Sequence, residues 1–206
     1  MTKEPNLTVV SGEETSEAIE TDGRRQRSER SRKQIIDAMF KLLRDGEVQP
    51  GASHVAEVAG VGLRTVFRHF DDMDSLYREM MKAAEHEFLP GFMSPLTAET
   101  WRGRLDQIIA RRAEMYERIM PLKLAAGIRR FQSDFLMDSH LRFRALERSG
   151  LMGVLPEEVR ADETLFAALE TALCFDAWRA MRGDQELTPE QAKTVMMRTA
   201  AALLDS

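Results

Sequence analysis

An all-α fold is what this sequence predicts, and three observations predict it. Its 206 residues are 43% hydrophobic but only 7% aromatic, with 13 methionines and few β-branched runs, a balance that suits helices better than a pleated core. Apolar residues recur three and four positions apart along most of the chain. Capping residues, Gly and Pro divide that periodicity into about nine segments of helical length.

The opening residues carry no such period. Residues 1–23 hold one Lys and six acids, with Glu13, Glu14, Glu17, Glu20 and Asp22 set among Ser, Thr and Gly, and they read as disordered. The chain then turns basic at Arg24, Arg25, Arg27, Arg30, Arg32 and Lys33, so that residues 1–28 form an acidic leader and a basic arm. From Ser31 the positions Ile35, Ile36, Met39, Phe40, Leu42 and Leu43 predict a first helix that stops at Asp45-Gly46. Two short segments follow, Ala52 to Ala59 and Leu63 to Phe70, joined only through Gly60, Val61 and Gly62; so tight a glycine-containing turn predicts a helix-turn-helix. Leu76, Met80, Ala83, Ala84 and Phe88 define a fourth helix capped by Asp72 or Asp74, and Pro90, Gly91, Ser94 and Pro95 interrupt it.

A long helix runs from Trp101 through Leu105, Ile108, Ile109, Met115, Tyr116 and Ile119 to an end or kink at Pro121. Leu122 to Leu151 predicts two helices with a break near Gln132 to Asp134. From Leu165 to Met181 only Glu170, Thr171, Asp176 and Arg179 are polar, which predicts one helix that buries more than one face, with Cys174 at its middle. Thr188, Pro189 and Gln191 spell a capping box for the last helix, with Ala192, Val195, Met196, Ala200, Leu203 and Leu204 as its stripe. A two-faced helix beside a one-faced helix fits packing against a second copy of the chain, and equally fits a monomer that uses both faces internally.

Composition excludes several function classes. The single cysteine, Cys174, rules out an internal disulfide and any multi-cysteine metal site, and no metal or cofactor is expected. No apolar run reaches the roughly 18 residues of a membrane span. The first twenty residues are acidic and polar where a signal peptide is basic and then apolar, so a reducing, cytoplasmic setting is expected. The formal net charge of −5 is unevenly spread: residues 1–23 are net −5, residues 24–70 net +5 and residues 71–206 net −5. A small phosphate-binding module on a larger acidic body has that asymmetry; a solvated basic linker has it too. An enzyme finds few parts here, because His54, His69, His86 and His140 stand far apart and neither His-Glu-x-x-His nor a Gly-rich loop occurs.

The segment Val55-Ala56-Glu57-Val58-Ala59-Gly60-Val61-Gly62-Leu63-Arg64-Thr65-Val66-Phe67-Arg68-His69-Phe70 resembles the helix-turn-helix of the tetracycline-repressor (TetR) family of transcriptional regulators, over roughly residues 30–80. The resemblance implies a homodimer on double-stranded DNA, with heads at residues 29–75 and a divergent ligand-binding and dimerisation domain at residues 76–206 that pairs through its last two helices. It also places Ser53 where the duplex is touched. Physical reasoning gives the segment a similar role, since Val66 and Phe70 anchor it while Arg64, Thr65, Arg68 and His69 remain for the major groove. Arg64 has the planar fork that reads guanine, whereas Thr65, Arg68 and His69 suit phosphate or mixed contacts. Arg30, in the basic arm, is a further candidate for the backbone. The chain departs from the family in Phe67, where the usual Tyr hydroxyl would add a charged hydrogen bond of about 1.5 to 3 kcal/mol, in Gly62 as N-cap, and in Met73 in place of a Lys between Asp72 and Asp74.

A ligand regulates such a dimer by favouring one head separation over another, and operator binding needs the recognition helices roughly 34 to 36 Å apart. Met115, Tyr116, Met120, Phe131, Phe135, Phe143 and Trp178 are the candidate walls for a small apolar or aromatic effector, with Arg112 or Glu114 as polar anchor. Each of them serves as well as ordinary core. A helical DNA-binding protein controlled by a protein partner, or one organising chromosomes without an effector, is the alternative.

Overall fold

A computed structural model describes residues 13–206, with side chains from Gly23 onward. Among the described residues there are ten α-helices and no strand, so the fold is all-α. The disorder expected of residues 1–12 lies outside the described residues. From residue 13 the expectation is corrected: the first helix, α1, spans Glu13–Arg44, and the basic arm is its middle. Arg25 pairs with Glu29 one turn on at 3.2 Å, and Ser31 Oγ donates to the Arg27 carbonyl, local bonds that the helix itself supplies.

Glycines set the first two turns. At the end of α1, Gly46 (φ +95°) lets its own N–H reach the Leu43 carbonyl and that of Glu47 reach Leu42. Gly60 (φ +66°) closes α2, Ala52–Ala59, with the same pair of bonds, Gly60 to Glu57 and Val61 to Ala56. This brings α3, Leu63–His69, onto α1 and α2 through Val66 and Phe70, both buried beside Ile35, Met39 and Val55. The cap of α4, Met73–Phe92, is Asp72: its carboxylate accepts from Ser75 N at 2.7 Å while Ser75 Oγ accepts from Asp72 N. Pro90 lies inside α4, so the chain turns away two residues later than its Pro-Gly signal suggests.

The long helix α5, Trp101–Arg129, passes through Pro121. Proline forfeits its own N–H bond and its ring crowds the carbonyl four residues back, about 3 kcal/mol in all, but Ile119, Leu122, Ala125 and Ala126 are buried around it and their packing offsets that cost. A short 3₁₀ turn at Arg130–Gln132 then leads to Ser133, the N-cap of α6, Asp134–Met152, at the expected break. After α7, Glu157–Ala161, comes the largest departure from the sequence reading. Leu165 to Met181 is two helices, α8, Glu163–Ala172, and α9, Phe175–Arg179, the latter continued by a π-helical turn at Ala180–Asp184. Cys174 therefore caps α9 as a buried thiol, and its Sγ–H points to the Thr171 carbonyl at 3.2 Å. The last helix, α10, Pro189–Leu204, opens with the predicted Thr188–Gln191 capping box.

A buried polar cluster explains the break. Arg112, fully buried on α5, donates to the Leu173 carbonyl at 2.9 Å and to the Glu147 carbonyl. The Glu147 carboxylate, 4% exposed on α6, accepts from Tyr116 Oη at 2.5 Å, from Phe175 N at 2.8 Å and from Arg144 at 2.8 Å. Backbone groups that an unbroken helix would pair internally are satisfied here by three side chains of neighbouring helices. Burial, reinforced by the adjacent carboxylate, holds the Tyr116 phenol well above its usual range, so it stays a donor.

The core has two clusters. One joins α1, α2 and α3 to the first half of α4, the end of α5 and Leu136; the other joins α5 to α6, α7, α8, α9 and α10. Phe88 of α4 packs against both. Among the described residues no helix is long and apolar enough to cross a membrane. Glu147→Ala leaves Phe175 N–H, Tyr116 and Arg144 without their acceptor; urea denaturation is expected to report a loss of about 3 kcal/mol or more, and a loss under about 1 kcal/mol would mean that the cluster does not hold the break together.

Candidate nucleic-acid interface

On α3 the buried face is Val66, and the opposite face carries Leu63, Arg64, Phe67 and Arg68, all exposed. Seven residues give barely two turns, so the helix owes its persistence to Val66 and Phe70 docking on α1 and α2. Among the described residues no carboxylate pairs with Arg64 or Arg68. Phe67 is 48% exposed, so its ring stands beside the two guanidinium groups rather than serving as packing.

Ser53 is exposed in the first turn of α2, a helix whose N-cap, Gly51, offers no side-chain bond to the leading N–H groups. Those groups and the serine hydroxyl are suited to an anion. Beside them His54 is tied to Glu47 at 2.8 Å. Thr65 and His69 are half-buried. His69 Nε2 is enclosed without a partner, the ring leans on Phe70 at 6.4 Å, and burial first, then Arg68 and Arg32, lowers its pKa, so near neutral pH it is uncharged. Arg30 is exposed on α1 and has no ion pair among the described residues. The structure thus brings Arg64, Phe67 and Arg68 onto one face, while Thr65 and His69 sit at its inner edge.

Two of the acids close to this face are occupied, while Asp71 and Glu57 are exposed with no ion pair among the described residues. Asp72 caps α4, and Asp74 pairs with Arg129 at 3.1 Å. Arg32, in the same basic arm as Arg30, is turned inward: it pairs with Glu79 of α4 at 3.0 Å and lies over the Phe70 ring at 5.1 Å. The arm therefore divides its labour between holding α4 and presenting charge.

The expected effector walls are scattered. Met115 and Phe143 line a cavity of about 250 Å³ between α4, α5 and α6, together with Met81, Phe88, Ile119 and Lys123. Tyr116 and Trp178 are fully buried core, packed ring to ring at 6.2 Å, and Met120 packs on the same cluster. Phe135 lies between Arg78 and Arg142, with ring contacts of 4.2 and 5.9 Å, and Phe131 is 73% exposed under Arg130. Neither lines the cavity. Arg112 is spent on the backbone at the helix break and Glu114 is exposed, so neither is its polar anchor. Lys123, Ser139 and Met81 went unnoticed in the sequence; the one signal was a lysine set between Leu122 and Leu124 in an apolar run.

Searches against models of protein families and against curated proteins found no match. Among solved structures, the chain is similar to a transcriptional regulator from Rhodococcus sp. Rha1, at 17% identity and a TM-score of 0.62 over 84% of this chain and 96% of that one. The fold is therefore shared with that regulator along nearly its whole length.

The Arg32–Glu79 pair leaves a measurable trace. The hydrogen bond from Arg32, aided by Lys82 against partial burial, holds Glu79 below the ordinary carboxylate range. Its contribution is present above the unfolded value of about 4.3 and is lost as pH falls through the depressed folded value. In a carboxyl NMR titration Arg32→Ala is expected to raise the Glu79 midpoint toward that unfolded value; an unmoved midpoint would dissolve the pair.

Proposed function

We propose that this chain is a ligand-responsive, DNA-binding transcriptional regulator of the tetracycline-repressor type, a repressor that grips a palindromic operator as a homodimer and releases it when a small apolar or aromatic effector binds. The observation that carries this reading is α3, a helix held by its inner face whose outer face offers two unpaired guanidinium groups and a bare aromatic ring. Guanidinium matches guanine O6 and N7, and an apolar ring matches the thymine methyl. Exposed Arg30 and Ser53 lie on the helices that pack on either side and serve the phosphates, while Thr65 and His69 contribute at the margin.

Regulation follows from α4. Its N-cap is two residues beyond Phe70, the last anchor of α3, and its later turns carry Met81, Ala84, Phe88 and Leu89 of the cavity wall. A molecule wedged there displaces α4 and with it the spacing of two heads, so it acts by its unequal affinity for two arrangements. Ala167 and Thr171 on α8 and Val195 and Ala202 on α10 are exposed on the last helices, a low-relief surface suited to a second copy.

Selection from a random duplex pool is expected to return a palindrome, with half-sites centred one helical turn, about 10 base pairs, apart; a chain that stays monomeric at micromolar concentration, or ignores duplex DNA at low ionic strength, would refute the proposal. Arg64→Ala should relax preference at one base pair per half-site by about 1 to 3 kcal/mol, whereas a uniform loss would move Arg64 to the backbone. Arg30→Ala should weaken all duplexes alike and flatten the logarithmic salt dependence by about one unit.

A further inference from the structure

Two cavities meet inside the helices that follow the basic head. The first is the apolar one between α4, α5 and α6; the second, about 310 Å³, is lined by Gly127, Arg130, His140, Asp176 and Arg179. They share Met81, Lys123 and Ser139, so these three form the seam between an apolar chamber and a polar one. The two polar groups at the seam lack a protein hydrogen-bond partner among the described residues and stay open to the cavities. Among the described residues no acceptor or carboxylate bonds Lys123 Nζ, and buried Ser139 has no hydrogen-bond partner for its hydroxyl. Lys123 rests instead on the faces of Phe143 and Phe175, at 4.0 and 5.6 Å.

Such a placement is costly. Burial pulls the Lys123 pKa down to about 8 against the long-range attraction of Glu147 and Asp176. Neither acid relieves it, since Glu147 commits its oxygens to Tyr116, Phe175 and Arg144, and Asp176 stands exposed at the second cavity. A methionine here would fill the same aromatic niche without that cost. Lysine supplies three donors and a positive charge at the inner end of an apolar chamber whose volume equals that of about eight water molecules.

We infer that the chamber between α4, α5 and α6 takes a small organic carboxylate, its apolar or aromatic body against Met81, Phe88, Met115 and Phe143 and its carboxylate held at the seam by Lys123 Nζ and the Ser139 hydroxyl. This assigns a chemical class to the effector and rests on the proposed function for its regulatory consequence. The anion supplies the acceptor that both groups lack, in surroundings where a charged hydrogen bond is stronger than in water.

The test compares 2-naphthoate with its uncharged analogue 2-naphthamide by titration calorimetry on the full chain. The carboxylate is expected to bind at least about tenfold more tightly, the equivalent of one charge-assisted hydrogen bond. Lys123→Met should erase that preference and raise the thermal melt, since it removes a costly buried charge, and Lys123→Arg should keep most of the preference. If Lys123→Met fails to fold, the ratio measured on the natural chain decides alone. Equal affinities, a preference that survives Lys123→Met, or no binding of naphthoate up to millimolar concentration would each overturn the inference. The same preparations are titrated with duplex DNA at low ionic strength. Duplex binding without carboxylate preference removes this inference and leaves the proposed function; carboxylate preference without duplex binding does the reverse.

Discussion

One buried carboxylate organises the larger half of this molecule. Glu147 is almost wholly removed from water, yet its oxygens receive a phenol, a backbone amide and a guanidinium from three different helices. Desolvating a carboxylate is tolerable only when its lone pairs are filled to this degree. The neighbouring Arg112 caps the same break from the other side, at the Leu173 carbonyl. Together they hold α5, α6, α8 and α9 in one register. The position of Phe175, and hence one wall of the niche around Lys123, follows from that register.

The second organising element is α4. Its first turn is fixed by the Asp72 cap, its middle by the Arg32–Glu79 pair to α1, and its later turns face the cavity and both hydrophobic clusters. A helix this firmly tied to the first three helices is a stiff lever: a displacement at Met81 or Phe88 reaches Asp72 along a continuous hydrogen-bonded rod. Glu79 and Asp74 are each met by an arginine, which offsets two negative charges on the side of α4 nearest α1 and the end of α5. The acidic net charge of the whole chain is thus compatible with a local surface of the opposite sign.

Charge elsewhere is handled by aromatic rings. Arg32 on Phe70, Arg78 on Phe135, Arg130 on Phe131 and Lys123 on Phe143 place four cations against ring faces. Three of these heads also reach water or an ionic partner, so the ring supports a cation already solvated. Lys123 differs in lining two cavities at once, with the rings of Phe143 and Phe175 against its ammonium and no acceptor bonded to it among the described residues.

Local chemistry alone settled much of this architecture. Gly46 and Gly60 in left-handed conformations, the Thr188–Gln191 box, the break at Ser133 and the inward faces of Val66 and Phe70 depend on interactions within about one helical turn, and such signals are written in consecutive residues. The outward positions of Arg64 and Arg68 were legible for the same reason, whereas Thr65 and His69, read as outward, are half-buried and Phe67 takes their place on the open face. Long-range partners decided the rest. The apolar run from Leu165 to Met181 is broken at Leu173 because Arg112, Tyr116 and Glu147 reach across 28 to 61 positions of chain to satisfy its exposed backbone. Pro121 is carried inside α5 because packing on its flanks outweighs the lost bond and the crowding of the preceding turn by its ring. Phe131 and Phe135 left the cavity and Lys123 entered it, since which side of a helix faces a void depends on three helices meeting, and periodicity in one of them records only that a face is buried.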